Sequence, residues 1–425
     1  MRVLFVTAIF PRDFAGSVYG VFQRTRMWLD AIQSVGAELE ILFLPPHGVA
    51  SSDAAPALAR QVATHWGIRS TVTICEREPE ERPTGRWAAH AAAYLRPALG
   101  FSRTAGFRLY SGKRQREAFA ACLSRSPDVV FFQRLYPTGC ALSTSLTGTR
   151  VLLDLDDVEH VRFAREIEQA PRWLGKRLLY LQLPALWYGE RAAIKRADHA
   201  FVCSRSDRRY LERSMRVRNV EVIPNAVPRI PDGPLTNEPT VLFIGNNVYG
   251  PNRVAAEYLI RDVWPHIVTV HPRARLLIAG PNSEYIPAFR CPPPGVEFLG
   301  FVPDLHALYR RTRVVCCPIQ SGGGTRVKIL EAASYGVPVV ATPLAAEGLD
   351  LVPEREILLR RDARGLAQAC ADLIADDARA ARVGAAAQDR VRDVYSRDAV
   401  VQRIAAILVG ATANGIAVGT DAVWA

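Results

Sequence analysis

The sequence predicts an α/β protein with two domains, each built on a parallel β-sheet that has helices on both faces. Short apolar segments rich in β-branched and aromatic residues alternate with helical segments along the 425-residue chain. Strands that alternate with helices in this way are typical of parallel sheets with helical crossovers. The alternation stops at a proline-rich stretch, 224–239, and then starts again. That interruption predicts a boundary between two domains.

The first predicted domain covers residues 1–223. Its strand-like segments are short and apolar, and the segments between them have helical character. We predict strands at 2–9, 38–44, 128–133, 150–155 and 199–203, and helices that include 18–34, 112–125 and 173–196.

The second predicted domain covers residues 240–397, after a linker at 224–239 whose five prolines are incompatible with a helix or a central strand. A last helix at about 398–425 is expected to pack back on the first domain. The second-domain strands are predicted at 240–245, 274–280, 296–300, 313–318 and 337–342, and its helices at 251–269, 304–311, 325–335 and 363–376. Ligands of such sheets bind beyond the carboxyl ends of the strands. We therefore expect two Rossmann-like domains whose loops face each other across a cleft.

The positive charge of the chain is concentrated in its first half. The net charge is +11; residues 1–224 hold 32 Lys and Arg against 22 Asp and Glu, and residues 225–425 hold 21 against 20. A basic half indicates an anionic partner, which is a nucleic acid, a membrane surface or a phosphorylated substrate.

The segment 86–116 explains part of this asymmetry, because it holds seven basic residues and no acidic ones, with aromatic residues between them. Basic and aromatic residues together are typical of contact with an anionic membrane. They also suit a lipid-diphosphate acceptor. The alternative is a solvated basic face with its aromatic rings turned to the core. No recognised motif supports nucleic-acid binding.

Several classes of protein are disfavoured by motifs that the sequence lacks. It has no G-x-G-x-x-G after a predicted strand, no P-loop, no G-x-S-x-G elbow and no H-E-x-x-H. The eight cysteines show no C-x-x-C pair or zinc-finger spacing. We expect them to be reduced and mostly buried, in a cytosolic protein without a signal peptide or a transmembrane helix.

The segment 316–349 is the most informative about function. A strand ends at its start, a loop with Gly322, Gly323 and Gly324 follows, and a helix is expected to begin near Thr325. Glycines let the backbone approach a bulky anion, and a helix N-terminus attracts negative charge. This pattern predicts a site for a phosphate-bearing ligand.

Charged residues follow on the same predicted helix. Arg326 and Lys328 are expected in its first turn, where cations oppose the helix dipole unless an anion such as a diphosphate compensates. Glu331, one turn deeper, is placed to accept hydrogen bonds from the vicinal hydroxyls of a ribose. The alternative is a surface helix in which Lys328 and Glu331 form an ordinary ion pair.

The second half resembles the donor-binding domain of family 4 retaining glycosyltransferases, which have the GT-B fold. The matching segments run in order at 223–227, 241–252, 276–282, 295–342 and 347–349. The first half resembles the acceptor domain of the family more weakly, at 3–32, 154–163 and 197–207. Within the family the chain looks most like bacterial sugar transferases of exopolysaccharide clusters.

The resemblance implies a nucleotide-sugar co-substrate, a glycan or lipid-linked acceptor, retention at the anomeric carbon, and no metal or other cofactor. It implies that Glu331 holds the ribose and that Arg326 and Lys328 stabilise the departing diphosphate. Gly323 stands where relatives carry a first Glu that contacts the donor sugar, so this chain departs from the family there. The implied donor-binding residues are Gly16, Gly245, Asn246, Asn247, Gly322, Gly323, Gly324, Thr325 and Glu331.

A cluster of carboxylates ends the strand predicted at 150–155. By strand alternation Asp156 projects to the same face as Asp154, and Asp157 begins the loop. One interpretation gives Asp156 or Asp157 the task of orienting or deprotonating the acceptor hydroxyl, with a pKa raised by crowding. The other makes these residues the N-cap and first-turn acids of a helix. His160 is predicted to be structural.

The sequence therefore predicts a GT-B glycosyltransferase of bacterial cell-surface or exopolysaccharide synthesis, at the cytoplasmic face of the inner membrane. Two alternatives stay open. One is a nucleotide-sugar epimerase of the same fold, which needs no separate acceptor. The other is a non-catalytic subunit that binds nucleotide-sugar, in which the missing first Glu marks lost activity.

Overall fold

The computed structural model describes residues 1–10, 20–79, 105–142, 144–169, 174–234 and 236–410. The chain divides into two compact units. The first contains residues 1–224 and the segment from Val400 onward, and the second contains Asn225–Ala399.

The first unit is built on a seven-stranded sheet in which every strand is parallel to its neighbours. The strand order is β3-β2-β1-β4-β5-β6-β7, so the chain moves outward from β1 and reverses direction at β4. The strands are β1 Arg2–Thr7, β2 Glu38–Phe43, β3 Ser70–Ile74, β4 Val129–Gln133, β5 Arg150–Asp156, β6 His199–Val202 and β7 Val220–Val222.

Helices cover both faces of this sheet, and the first of them packs on it through an aromatic cluster. Trp28 of the first helix lies 4.3 Å from the ring of Phe131 on β4 and 5.2 Å from that of Phe201 on β6. The helices are α1 Gly20–Ser34, α2 Ala55–Trp66, α3 Lys113–Leu123, α4 Glu159–Glu168, α5 Leu183–Arg196, α6 Arg205–Met215 and, at the end of the chain, Arg397–Leu408.

The helix predicted at 173–196 is not continuous. It consists of one turn at Leu174–Arg177, a 3₁₀ segment at Leu178–Gln182 and then α5. Pro184 lies in the first turn of α5, where the missing N–H of a proline costs no hydrogen bond. The proline thus starts a new helix where the sequence pattern had suggested a single one.

The second unit has a six-stranded parallel sheet in the order β10-β9-β8-β11-β12-β13. The strands are β8 Thr240–Ile244, β9 Arg275–Ala279, β10 Val296–Gly300, β11 Val314–Cys317, β12 Val339–Ala341 and β13 Leu358–Leu359. The helices are α7 Gly250–Tyr258, α8 Trp264–Val270, α9 Leu305–Arg310, α10 Val327–Ser334, α11 Ala363–Ala375 and α12 Asp377–Val394. The helix Arg397–Leu408, which follows α12 in the chain, is labelled α13. A π-helical turn at Leu259–Val263 divides the helix predicted at 251–269 into α7 and α8.

The proline-rich stretch 225–239 follows the surface of the second unit. Val227 donates its N–H to Tyr395 O at 3.0 Å, and Arg310 Nη2 donates to Pro231 O at 2.9 Å. These contacts explain why the division between the two units falls at Pro224.

None of the eight cysteines forms a disulfide, and all except Cys291 are buried. Within the part of the chain that the structure describes, no helix is both long enough and apolar enough to cross a membrane.

Candidate active site

The loops after β8 and β9 lie in direct contact at the carboxyl edge of the second sheet. Gly245 donates its N–H to Ala279 O at 3.0 Å, and Asn247 donates to Pro281 O at 3.2 Å. Gly280 has a φ of +126°, and a Cβ on it would lie 1.9 Å from Gly245 O. Only glycine allows this approach, so Gly280 fixes where the predicted donor loop begins.

The glycine loop after β11 packs against the loop after β8. Gly322 and Gly324 have φ values of +96° and +73°, and a Cβ on Gly322 would lie 2.6 Å from the Tyr249 hydroxyl. The Arg326 guanidinium is buried and donates to Gly324 O at 3.0 Å, with a further contact to Gly323 O. Arg326 therefore organises the carbonyl groups of the loop.

Helix α10 begins later than the sequence suggested. It starts at Val327, and Arg326 is its N-cap residue, so only Lys328 lies in its first turn. Thr325 precedes the cap, and its Oγ1 accepts a hydrogen bond from Asn225 Nδ2 at 2.8 Å. The loop, the cap and the helix are thus joined at the position where an anion would meet the free N–H groups of α10.

Lys328 is partly buried under the loop after β8. Its Nζ lies 2.8 Å from Asn252 Oδ1 and 4.6 Å from the centre of the Phe243 ring. Burial lowers the pKa of Lys328 to about 8. Because burial penalises the charged form, a bound anion would stabilise this ammonium more than it would a solvated one.

Glu331 lies one turn further along α10, in an aromatic environment. Tyr309 Oη donates to Glu331 Oε2 at 3.4 Å, and the Tyr309 ring stacks on Tyr335 at 4.7 Å. Burial raises the pKa of Glu331 to about 7. Lys328 and Glu331 have separate partners, which disfavours the ordinary surface ion pair.

Asn246 and Asn247 shape the loop after β8. Asn246 O accepts a hydrogen bond from Asn252 Nδ2 at 2.9 Å. Asn247 is fully buried and donates its Nδ2 to Pro281 O at 3.1 Å. The structure brings both to the edge that also carries Gly245, Lys328 and the glycine loop.

Three further residues of this edge were not singled out from the sequence, namely Tyr249, Asn252 and Tyr309. Asn252 is the partner of Lys328, and Tyr309 is the partner of Glu331. All three fall inside segments that resemble the family, but their roles depend on which side chains the sheet brings together.

The predicted carboxylates of the first unit lie at the carboxyl edge of its sheet. Arg24 of α1 and Asp154 of β5 form a fully buried ion pair, with Arg24 Nε 2.7 Å from Asp154 Oδ2. Asp156 lies on the same side, 3.8 Å from Arg24 Nε. It accepts hydrogen bonds from Arg134 Nη2 at 2.7 Å and from Cys203 Sγ at 3.0 Å.

The expectation that crowding raises the pKa of Asp156 is wrong. Burial acts to raise it, but Arg134 and Arg24 together hold the pKa of this carboxyl below its usual value. Asp156 is therefore a carboxylate suited to orienting a ligand and poorly suited to accepting a proton. Its φ of +62°, and the φ of +70° at Arg134, place strained backbone at this point.

Neither Asp156 nor Asp157 is the N-cap of the following helix. The cap of α4 is Val158, and the N–H of Glu159 donates instead to Glu190 Oε1 at 2.8 Å. His160 lies between Glu190 Oε2, at 2.5 Å, and Tyr210 Oη, at 2.8 Å. This agrees with the prediction that His160 is structural.

Gly16 and residues 86–104 lie outside the described residues. In the remainder of the segment 86–116, Arg108, Lys113, Arg114 and Arg116 are exposed, whereas Phe107 and Tyr110 are buried in the core. This part of the segment is a solvated basic face, and its two aromatic rings do not face outward.

Comparison with known protein families finds one match in each half of the chain. Residues 56–229 match the model described as Glycosyltransferase Family 4, and residues 238–376 match the one described as Glycosyl transferases group 1. These matches confirm the resemblance found in the sequence. No curated protein matched the chain.

Solved structures confirm the predicted fold class. Sucrose-phosphate synthase from Thermosynechococcus elongatus is 16% identical, with a TM-score of 0.64 over 97% of this chain and 100% of that one. HepE from Anabaena, solved with UDP, is 13% identical, with a TM-score of 0.64 over 96% and 100%. TarM from S. aureus, solved with UDP and α-GlcNAc-glycerol, is 12% identical, with a TM-score of 0.65 over 95% and 98%.

Proposed function

We propose that this chain, whose halves are a family 4 and a group 1 glycosyltransferase domain, transfers a sugar from a nucleotide-diphosphate donor to a glycan or lipid-linked acceptor. The proposal rests mainly on α10. A half-buried lysine and a half-buried glutamate lie one turn apart on this helix, directly behind a glycine loop.

The residues of α10 fit the two ends of a nucleotide diphosphate. Lys328, the Arg326 cap and the free N–H groups of the helix offer positive charge to the phosphates. Glu331 offers carboxylate oxygens to the ribose hydroxyls. Breaking the bond between the sugar and the phosphate builds negative charge on the leaving oxygen, and each well-placed donor to such an oxyanion contributes about 3–4 kcal/mol.

We propose that the reaction retains the configuration of the anomeric carbon. The acceptor oxygen forms a bond to that carbon on the face from which the phosphate oxygen departs, and the departing phosphate takes the acceptor proton. This course needs no separate base, which is consistent with the lowered pKa of Asp156. Asp156 and Asp157 then orient the acceptor hydroxyl. No metal or cofactor takes part in this proposal.

UDP is the first nucleotide to test, because the HepE and TarM structures contain it. We place the reaction in bacterial cell-surface or exopolysaccharide synthesis, at the cytoplasmic face of the inner membrane. The exposed cations of 108–116 support a contact with anionic lipid.

A thermal-shift screen with UDP, GDP, ADP and TDP tests the donor site. A nucleotide present at 100 times its Kd should stabilise the protein by about 2.7 kcal/mol. The sugar nucleotide of the best base is then incubated with candidate acceptors, and nucleotide release is measured with and without acceptor. Release that requires acceptor supports the proposal. Conversion of the sugar without acceptor would indicate an epimerase, binding without turnover would indicate a non-catalytic subunit, and no stabilisation by any nucleotide would contradict a donor site.

A further inference from the structure

An apolar cavity lies in the first unit, between α5 and the sheet. Its volume is about 160 Å³, and its lining includes Phe132 of β4, Leu153 of β5 and Ala193 of α5. A dry cavity of roughly 150 Å³ holds a small hydrocarbon in other proteins. The size and the lining therefore suit a hydrocarbon group.

The cavity reaches the surface beside α5. Three of its lining residues, Leu142, Ala192 and Arg196, are exposed. Arg196 Nη1 donates to Leu142 O at 3.3 Å, so a guanidinium lies at the opening. An apolar chain that enters here would leave its polar end beside a cation.

The outer surface of α5, and of the 3₁₀ segment before it, carries an apolar stripe. We define the stripe as Leu178, Leu181, Pro184, Tyr188 and Ala192, all of them exposed. Leu181 is 44% exposed and Tyr188 is 66% exposed. Residues three or four positions apart share one face of a helix, so the stripe runs from the 3₁₀ segment Leu178–Gln182 along α5 to the opening of the cavity. Large apolar side chains exposed in a row mark an interaction surface.

The segment that carries the stripe, 174–197, has a positive net charge. Residues 174–197 contain five cations, and their only acid is Glu190. Glu190 is fully buried against His160 and the start of α4, so it does not offset the cations at the surface. An apolar helix face bordered by Lys and Arg is the pattern of helices that lie on anionic membranes.

We propose that α5 and the 3₁₀ segment before it form a lipid-binding face, in which the apolar stripe lies on an anionic membrane and the cavity takes the end of one hydrocarbon chain of a membrane lipid. The inference does not depend on glycosyl transfer. It adds a second surface to the lipid contact proposed for the exposed cations of 108–116.

The first experiment measures sedimentation of the full chain with phosphatidylglycerol vesicles. We expect Leu181→Ser with Tyr188→Ser to abolish most of the binding. The matched control is Val270→Ser with Tyr285→Ser, which removes two exposed apolar residues of the second unit and should bind as the wild type does. Equal loss in both double variants, or no loss in the first, would overturn the role of the stripe.

The second experiment locates the hydrocarbon chain of the lipid on the protein. A phosphatidylglycerol with a photoreactive group at the end of one acyl chain is irradiated with the protein, and labelled peptides are identified by mass spectrometry. We expect labels in peptides from β5 and α5. Ala193→Phe, which fills the cavity, should reduce them at least tenfold, whereas Ala63→Phe on exposed helix α2 should not.

The thermal midpoint shows whether Ala193→Phe folds. If its midpoint falls, Ala192→Leu at the exposed opening replaces it, because that position tolerates a larger side chain more easily. Absence of label from β5 and α5, or label that survives both substitutions, would overturn the cavity as a lipid site.

Discussion

Lys328 Nζ lies 2.8 Å from Asn252 Oδ1, so the helix that follows the glycine loop is joined to the start of α7. This contact holds a half-buried ammonium at the edge of the sheet. Its pKa is lowered to about 8 by burial, and that of Glu331 is raised to about 7. Both residues therefore change charge near neutral pH in the free protein.

Donor affinity should be highest between about pH 7 and about pH 8. Above the pKa of Lys328 the free protein carries a neutral amine, so binding a diphosphate requires uptake of a proton and weakens as pH rises. Below the pKa of Glu331 the carboxyl is protonated, accepts weaker hydrogen bonds from the ribose, and binding weakens as pH falls. Isothermal titration with the sugar nucleotide across this range measures the alkaline limb and the acidic limb of the plot of affinity against pH.

Two variants separate these limbs. Lys328→Arg keeps its charge at all relevant pH values, so it should remove the alkaline limb and leave the acidic one. Glu331→Gln cannot ionise and should remove the acidic limb alone. Parallel profiles for the wild type and both variants would show that neither residue meets the donor.

Glu331→Gln should also weaken donor binding about tenfold at pH 8, because hydrogen bonds to a carboxylate are roughly twice as strong as those to an amide. The measurement is the Kd of the nucleoside diphosphate. A matched comparison with the 2′,3′-dideoxynucleotide is decisive: it lacks both ribose hydroxyls, so the variant and the wild type should bind this deoxy form with similar affinity. A tenfold difference that persists with the deoxy form would contradict the ribose contact.

Arg326→Ala should lower kcat more than it weakens donor binding, because the charge that it faces grows in the transition state. Loss of one such donor typically costs about 10²–10³ in kcat. Arg326→Lys keeps the charge but loses the planar guanidinium that donates to the carbonyl groups of Gly323 and Gly324. Variants that change only KM would show that Arg326 acts as a donor clamp.

The strands and helices that could be predicted are those whose own residues form a clear apolar pattern. The strands at 2–9 and 240–245 were predicted because their residues are continuously apolar, and β1 and β8 are buried accordingly. Strand β3 was missed because STVTI is polar and only partly buried. Helix α12 was missed although its buried residues recur every three or four positions, because alanines lie on its exposed face as well as on its buried face.

The residues that lie at the carboxyl edge of the second sheet could be predicted, but the hydrogen-bond partners of their side chains could not. The spacing of Lys328 and Glu331 is visible in the sequence, and it left an ion pair between them open as the alternative to contacts with a donor. Their actual partners, Asn252 and Tyr309, come from other elements that only the sheet order brings near. The lowered pKa of Asp156 likewise depends on Arg134 and on Arg24, and Arg24 is 132 positions away along the chain.

Gly280→Ala should disrupt the donor loop. A Cβ at this position would lie 1.9 Å from Gly245 O, and a backbone oxygen cannot move aside as a flexible side chain does. Gly300→Ala is the control, because Gly300 also has a positive φ, +62°, but nothing lies within 4 Å of its Cβ. That control should cost only about 1–2 kcal/mol. We expect Gly280→Ala to lose nucleotide binding and Gly300→Ala to keep it; equal binding by both would contradict the close approach of the two loops.

Arg24→Ala should destabilise the first unit strongly, because it leaves the Asp154 carboxylate buried without its partner. Both side chains are at most 1% exposed, and breaking a buried pair in this way costs about 3–5 kcal/mol. For a unit of this size that cost corresponds to a fall of about 6–20 °C in the thermal midpoint.

The double variant Arg24→Met with Asp154→Leu tests the physical reason for that loss. It removes both charges and fills the space with apolar groups, so it should recover most of the lost stability. Differential scanning calorimetry of the wild type, the single variant and the double variant provides the comparison. If the double variant is as unstable as Arg24→Ala, the loss comes from the hydrogen bond between Arg24 Nη1 and Ile223 O, at 2.8 Å, or from packing around α1. Recovery in the double variant, together with loss of turnover, would instead show that the first unit needs Arg24 for the reaction, beside Asp156, and not for stability.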